Sequence, residues 1–277
     1  NLAFKNFVFD DIAINGKETS GIYNITLTSP KLYNKSITFL ENIKLSLNTT
    51  PKIVQIALLW NDEIAKNYGD INIDVTNKSG TNYIDIKKSS FGINNEKWTI
   101  DNNNNIILLD SNLLIIKDLN LISNNQSLII NSDIIKDKKD SLSLGFNDFE
   151  LDQFNALLKT SALNLSGKID GYLNIKGLYS SVYFDSELNI SDWKINNQKI
   201  GDANITSSLD TELECIYIML QSNLEQDDRT TSPLTISGKF FPLKDNDNID
   251  FDVNFDGFSL KSLEPFLSSF SSRFEGD

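Results

Sequence analysis

The sequence predicts a mainly all-β protein, elongated and modular, built of antiparallel strands with short amphipathic helices at module ends. Apolar and polar residues alternate through most of the chain, as in Ile249, Phe251, Val253 and Phe255 with Asp250, Asp252 and Asn254 between them. That period is the signature of a strand wet on one face and apolar on the other. Turn signals recur at short intervals: Asn15-Gly16, Lys78-Ser79-Gly80, Asn102–Asn105, Asn124-Asn125, Asn196-Asn197 and Asp245–Asn248. With only 13 Gly and 5 Pro, the turns fall to Asn and Asp, which tolerate left-handed backbone angles. The chain also repeats itself. Leu142, Leu144, Phe146, Phe149, Leu151, Phe154, Leu157, Leu158 and Leu165 align with Phe251, Val253, Phe255, Phe258, Leu260, Leu263, Phe266, Leu267 and Phe274, and Gly167 with Gly276, at a constant offset of 109 (251 − 142 and 276 − 167). Repeats at a fixed period point to an architecture that grows by stacking, with function on a long surface.

Taken in order, the elements read as follows. Tyr23, Ile25 and Leu27 mark one strand, and Ile43, Leu45 and Leu47 another; Trp60 follows the apolar run Ile56–Leu59 and reads as core. Asp62–Tyr68 fits a short helix. Ile71, Ile73 and Val75 alternate again, and the runs Ile106–Leu109 and Leu113–Ile116 are apolar on both faces, which predicts deeper burial. The alternating strand Leu142/Leu144/Phe146 leads into helical spacing at Leu151, Phe154, Leu157 and Leu158, with Asp152 as expected N-cap. Leu260, Leu263, Phe266 and Leu267, with Ser262 as cap, repeat it. A second echo sets Trp98-Thr99-Ile100-Asp101-Asn102 against Trp193-Lys194-Ile195-Asn196-Asn197 at an offset of 95 (193 − 98), so the two tryptophans are expected to pack at equivalent module positions. The polar stretch Glu225–Pro233 absorbs the difference of 14 (109 − 95) as a loop. Three segments follow: groove-forming β modules over 1–140, a repeat module over 141–250, and the start of a further repeat over 251–277.

Composition narrows the function. Hydrophobic residues make up 40% of the 277, too many for a disordered chain. The formal net charge of −13 repels phosphate backbones, so nucleic acid is not an expected partner. Histidine is absent, which removes the commonest general base and transition-metal ligand. The lone Cys215 lies in the apolar run LECIYIML and reads as a buried structural thiol. Asp245, Asp247 and Asp250 lack the Gly and closing Glu of a calcium loop. Asp10-Asp11, Asp227-Asp228 and the N-x-S/T triplets read as solvated surface. No nucleophile motif stands out, and we expect no catalytic residue, no metal site, no cofactor and no enzymatic activity. No apolar stretch is long enough for a spanning helix. The N-terminal NLAFKNF lacks the plan of a signal peptide, and both ends read as cuts through a longer protein.

The strand–helix–Gly terminator, followed by the Gly-spaced segment Gly167-Lys168-Ile169-Asp170-Gly171-Tyr172-Leu173-Asn174-Ile175-Lys176-Gly177, resembles the repeat unit of the TamB/AsmA-like family of bacterial envelope proteins. The match covers about half the chain, from Ser141 on. What the resemblance implies is a long sheet bent into a U, the β-taco, with an apolar inner face. It also implies anchorage in the inner membrane by an N-terminal helix missing here, a periplasmic location, and a TamA-like barrel partner in the outer membrane. The expected role is lipid transport or outer-membrane protein assembly, with phospholipid or hydrophobic polypeptide as cargo. An exposed acyl methylene costs about 0.8 kcal/mol in water, and a trough of apolar side chains removes that cost along its length. The residues expected to line it are Leu142, Leu144 and Phe146; Leu173 and Ile175; Leu188 and Ile190; Ile216 and Ile218; and Phe251, Val253 and Phe255. The competing expectation is a structural or adhesive surface protein of stacked β modules with a closed core, acting through glycans or a stalk.

Overall fold

The computed structural model describes residues 2–4, 7–34, 37–62, 67–93, 96–101, 105–109, 113–135, 138–156, 164–177, 182–226, 229–244 and 246–257. Among the described residues the fold is mainly β, antiparallel and open, with no closure into a barrel. The chain forms two compact units, Asn1–Asn125 with Ile129–Lys138, and Gln126–Leu128 with Lys139–Asp277.

The first unit is a meander. Its strands are β1 (Leu2–Phe4), β2 (Phe7–Phe9), β3 (Ala13–Thr19), β4 (Ile22–Asn34), β5 (Ile37–Thr49), β6 (Ile53–Asn61), β7 (Tyr68–Lys78), β8 (Thr81–Ile86), β9 (Ser89–Ile93), β10 (Glu96–Ile100), β11 (Asn105–Leu109), β12 (Leu113–Ser123) and most of β13 (Gln126–Ile135). From β4 to β7 each strand pairs with its successor. Three long strands are broken in two: β2 and β3 both lie along β4, β8 and β9 both lie along β7, and β10 and β11 both lie along β12. One face carries the apolar rows Ile25–Leu47–Ile56–Ile73–Ile86 and Leu27–Leu45–Leu58–Ile71. Trp60, expected as core, is half-buried, and its indole covers Gly69, whose place no side chain could share: an added Cβ would sit 2.0 Å from the ring.

The second unit contains β14 (Lys138–Glu150), a 3-10 helix (Leu151–Ala156), β15 (Leu165–Lys176), β16 (Tyr183–Ile195), β17 (Gln198–Asp210), β18 (Cys215–Gln226), β19 (Arg229–Thr231), β20 (Leu234–Phe240) and β21 (Ile249–Phe255). Pairing runs β14–β15–β16–β17–β18–β20–β21, with the short β19 at the end of β18. Seven strands, the short β19 among them, are laid down between the start of β14 and the start of β21, the two strands related by the 109-residue offset. Gly171 on β15 has φ +120°, and an added Cβ would lie 2.0 Å from the carbonyl oxygen of Glu187 on β16. Only glycine serves there.

Non-glycine residues take left-handed backbone along the long strands at one kind of site. Asp11, Asn42, Asp118, Asp148 and Asp192 have φ between 37° and 54° although none lies in a hairpin turn. Each is the third residue of an apolar–polar–Asx–apolar run: Phe9–Ile12, Leu40–Ile43, Ile116–Leu119, Phe146–Phe149 and Ile190–Trp193. The extra residue keeps both flanking apolar side chains on one face, as a β-bulge does. The ladder shifts register at two of these sites, between Phe146 and Phe149 and between Ile190 and Trp193. The freed backbone N–H is caught by an Asx side chain on the next strand: Asp148 by Asp170 (2.8 Å), Asp192 by Asp202 (3.0 Å) and Asp118 by Asn131 (2.8 Å). Serine fills other gaps, taking over both halves of a ladder pair. Ser222 accepts from Leu234 N (2.8 Å) and donates to Leu234 O (2.9 Å), and Ser89 accepts from Asn72 N (2.9 Å).

Four expectations need correcting. The helix after β14 is a six-residue 3-10 turn, and Asp152 lies inside its first turn instead of capping it; Asn155 fixes it by bonding both N and O of Leu165 at 2.9 and 2.8 Å. Tyr68 opens strand β7 and is not helical. The Trp98 and Trp193 segments are not equivalent: both indoles are buried, but β10 continues in its own direction into β11, whereas β16 turns back at Asn196-Asn197 into β17. Finally, much of Glu225–Pro233 is strand, in β18 and β19. The expected helix over Leu260–Leu267, its cap Ser262, and residues Leu157, Leu158, Asp227, Asp228 and Asp245 lie outside the described residues.

Candidate functional site

Cross-strand partners in an antiparallel sheet lie on the same face, so the register states where each predicted groove residue points. One row runs unbroken over seven strands as Leu144–Leu173–Ser186–Ser207–Ile218–Gly238–Phe251. The next runs Phe146–Gly171–Leu188–Ile205–Leu220–Ile236–Val253. Beyond it lie Phe149–Ile169–Ile190–Ala203–Ser222 and Leu234–Phe255. On the other side lie Leu142–Ile175–Phe184 and Leu209–Ile216–Phe240–Ile249. All twelve predicted residues fall in these four rows, on one face. The rows between them face the other way and read Ser143–Asn174–Asp185 and Gly145–Tyr172–Glu187–Thr206–Met219–Ser237–Asp252.

No residue in the four rows is titratable, and the face is about 29 Å across, six strand spacings of ~4.8 Å. The one buried polar pair in the row of Leu144 is Ser186 and Ser207, whose hydroxyls bond each other at 2.8 Å, so neither needs water. The charges sit on the opposite face or at its rim, some in exposed ion pairs such as Lys168–Asp148 (3.2 Å) and Lys176–Asp185 (3.1 Å).

Burial varies along this face. At one end Phe149, Ile169, Ile190, Ala203 and Leu234 are buried. There the 3-10 helix folds over the sheet: its Phe154 ring lies 5.5 Å from Phe149, which in turn meets Phe146 edge-on at 5.5 Å. At the other end the rings of Phe184 and Phe240 approach to 6.4 Å, although their strands stand three spacings apart, ~14 Å in a flat sheet. The face is therefore concave there, and Ile216, the partner of Phe240, is fully buried. Between the two ends Leu144, Leu173, Ile218, Phe251, Phe146, Leu188, Ile205 and Ile236 are only half-buried, and Val253 on the last strand is 49% exposed.

Sequence reasoning named Leu220 beside Ile216 and Ile218 but missed the other members of the rows, among them Ile205, Ile236 and Phe184. The signal was present, since alternation continues through small residues, as in Ile236–Gly238–Phe240 and Ile169–Gly171–Leu173. Glycine and serine hide a face in a pattern read from apolar residues alone. Cys215 is a buried free thiol, as expected. Among the described residues no group of His, Cys, Asp or Glu is placed to hold a metal ion, and no helix is long and apolar enough to cross a membrane. No protein-family model matches the chain, and no curated protein or solved structure matches it.

Proposed function

We propose that the chain is a segment of a TamB/AsmA-like envelope protein and that the apolar face of its second unit shelters phospholipid acyl chains or the apolar strands of nascent outer-membrane proteins. One observation carries this reading: residues from seven paired strands form a single uncharged, largely apolar face on which most side chains of the middle rows stay half-exposed, with Ser186, Ser207 and Leu220 buried among them. A ligand of apolar chains fits such a face without any polar recognition, because its transfer from water supplies the free energy at about 25 cal/mol per Å² buried. No single deep pocket holds the cargo, so it binds with a shallow profile along the face and slides. The setting that follows is the periplasm, with an inner-membrane anchor and an outer-membrane barrel partner beyond this segment. Catalysis, cofactors and nucleic acid have no part in it.

The competing reading, an adhesive or structural repeat with a sealed interior, calls for burial of the middle rows comparable with that around Phe149. The test is to purify the chain from bacterial envelopes without detergent and analyse extracted lipid by mass spectrometry. Stoichiometric phospholipid supports the proposal. Lipid-free protein that also fails to take up phospholipid from vesicles refutes it.

A further inference from the structure

The first unit carries a second concavity, on the face opposite its apolar rows. It is a hollow of about 380 Å³ spanning β4 to β7. Two polar rows form it. The inner row is Thr26–Ser46–Ala57–Asn72, half-buried, and the outer is Asn24–Asn48–Gln55–Asp74, with the first three exposed. Between them lies only backbone, since Ile25, Leu47, Ile56 and Ile73 send their side chains to the other face. Ser46 and Ala57 sit side by side in the middle and leave the space unfilled.

Its chemistry is distinctive. Two carboxylates share one ammonium: Lys87 lies 3.6 Å from Asp74 and bonds Asp85. Asn72 and Gln55 spend their amide N–H groups on Asp70 (2.8 Å) and Asp74 (3.4 Å) and keep their amide oxygens. Among the described residues the side chains of Asn24, Asn48, Thr26 and Ser46 have no hydrogen-bond partner, so both donors and acceptors remain unspent. Carbon atoms share these walls with the amides and hydroxyls, and a purely apolar ligand would leave those polar groups unpaired. An anion meets a chain of net charge −13, and among the described residues no group of side chains is placed to hold a metal cation. The partner that uses all of these groups is a neutral molecule dense in hydroxyls, each able to donate and accept at once. The volume lies within the ~300–1,000 Å³ usual for small-ligand sites.

We infer that this hollow binds a neutral oligosaccharide, across the strands, through the free amides and hydroxyls of Asn24, Asn48, Thr26 and Ser46. The inference rests on the first unit alone and is independent of the role proposed for the apolar face. Saturation-transfer NMR with maltotriose and with chitotriose on the whole chain tests it. We expect transfer to at least one trisaccharide. Asn48→Ala should weaken it about fivefold, as for one neutral hydrogen bond lost, and Ala57→Phe, which fills the floor from the open side, should abolish it. Circular dichroism and melting of Asn48→Ala unchanged from the parent would assign its loss to the site. No transfer to either sugar overturns the inference, as does transfer that survives Ala57→Phe.

Discussion

Ile218→Asp tests which face carries the cargo, with Met219→Asp as its partner. Ile218 is half-buried at the centre of the seven-strand row, between Ser207 and Gly238. Met219, the next residue on β18, is 53% exposed on the polar face between Thr206 and Ser237. Both substitutions take the net charge from −13 to −14 (−13 − 1), so global electrostatics cancels in the comparison. A hydrated carboxylate at position 218 keeps an acyl chain off about one row interval, ~7 Å or two residues of strand. If that wets about four methylenes at ~0.8 kcal/mol each, binding weakens by about 3 kcal/mol, roughly 150-fold. Met219→Asp should leave it within about twofold, the scatter of surface substitutions. Ile218→Ser, which matches its neighbour Ser207, gives a neutral variant should the charged one fold poorly, and should fall between the two. The assay is fluorescence titration with nitrobenzoxadiazole-labelled phosphatidylethanolamine in detergent-free buffer. Equal losses from Ile218→Asp and Met219→Asp would refute the assignment of the faces.

Three further outcomes follow from the backbone. Ser222→Ala should expose the N–H and C=O of buried Leu234 to an unsatisfied state, costing about 2–4 kcal/mol; hydrogen exchange of β20 amides reads it, and an unchanged Leu234 amide would contradict the role given to the hydroxyl. Gly171→Ala forces a Cβ onto Glu187 O, so β15 and β16 must part; we expect a loss of at least about 3 kcal/mol in urea titration, against about 1–2 kcal/mol for Gly80→Ala, which meets no atom within 4 Å. Asp148→Gly should be nearly neutral because it keeps the backbone bond to Asp170 and removes the left-handed penalty, whereas Asp148→Val should cost about 2 kcal/mol; equal melting temperatures for the pair would show that the bulge is not left-handed in solution.

The fold class and the face shared by the predicted residues were legible because both rest on period two, which survives in sequence wherever a strand is wet on one side. Leu144, Phe146, Phe251 and Val253 needed nothing more. The bulges were not legible, because Asn and Asp were read as turn formers from their tolerance of positive φ. The structure uses that same tolerance inside strands at Asn42, Asp118, Asp148 and Asp192. The slip from spacing two to spacing three at Phe146–Phe149 was visible and was absorbed into the following helical pattern. The Trp98 echo failed for a related reason. Five similar letters carry no information on whether the chain turns afterwards, and pairing partners outside the segment decide it.

The open stretch of the face does not come from composition. Within the second unit the same strands carry both a sealed row and exposed positions: Ile190 and Ala203 are buried, while Leu188 and Ile205, two residues away on the same face, are half-exposed, as is Leu173, four residues from buried Ile169. Residue types barely differ between them, so the difference lies in the cover. Phe154 of the 3-10 helix reaches Phe149, and Phe184 reaches Phe240 at the far end. The rows of Leu144 and Phe146 lie between these two covers and present roughly 400 Å² of sheet surface (29 Å by two intervals of ~7 Å). That footprint, part of it occupied by the buried Ser186, Ser207 and Leu220, is of the size of the largest apolar patch on an ordinary monomer, which is often functional. Both covers are apolar side chains held in place by the chain itself, Asn155 fixing one and the strand register the other. The extent of the gap is thus set by the backbone, and the passive conduit proposed above requires such an opening.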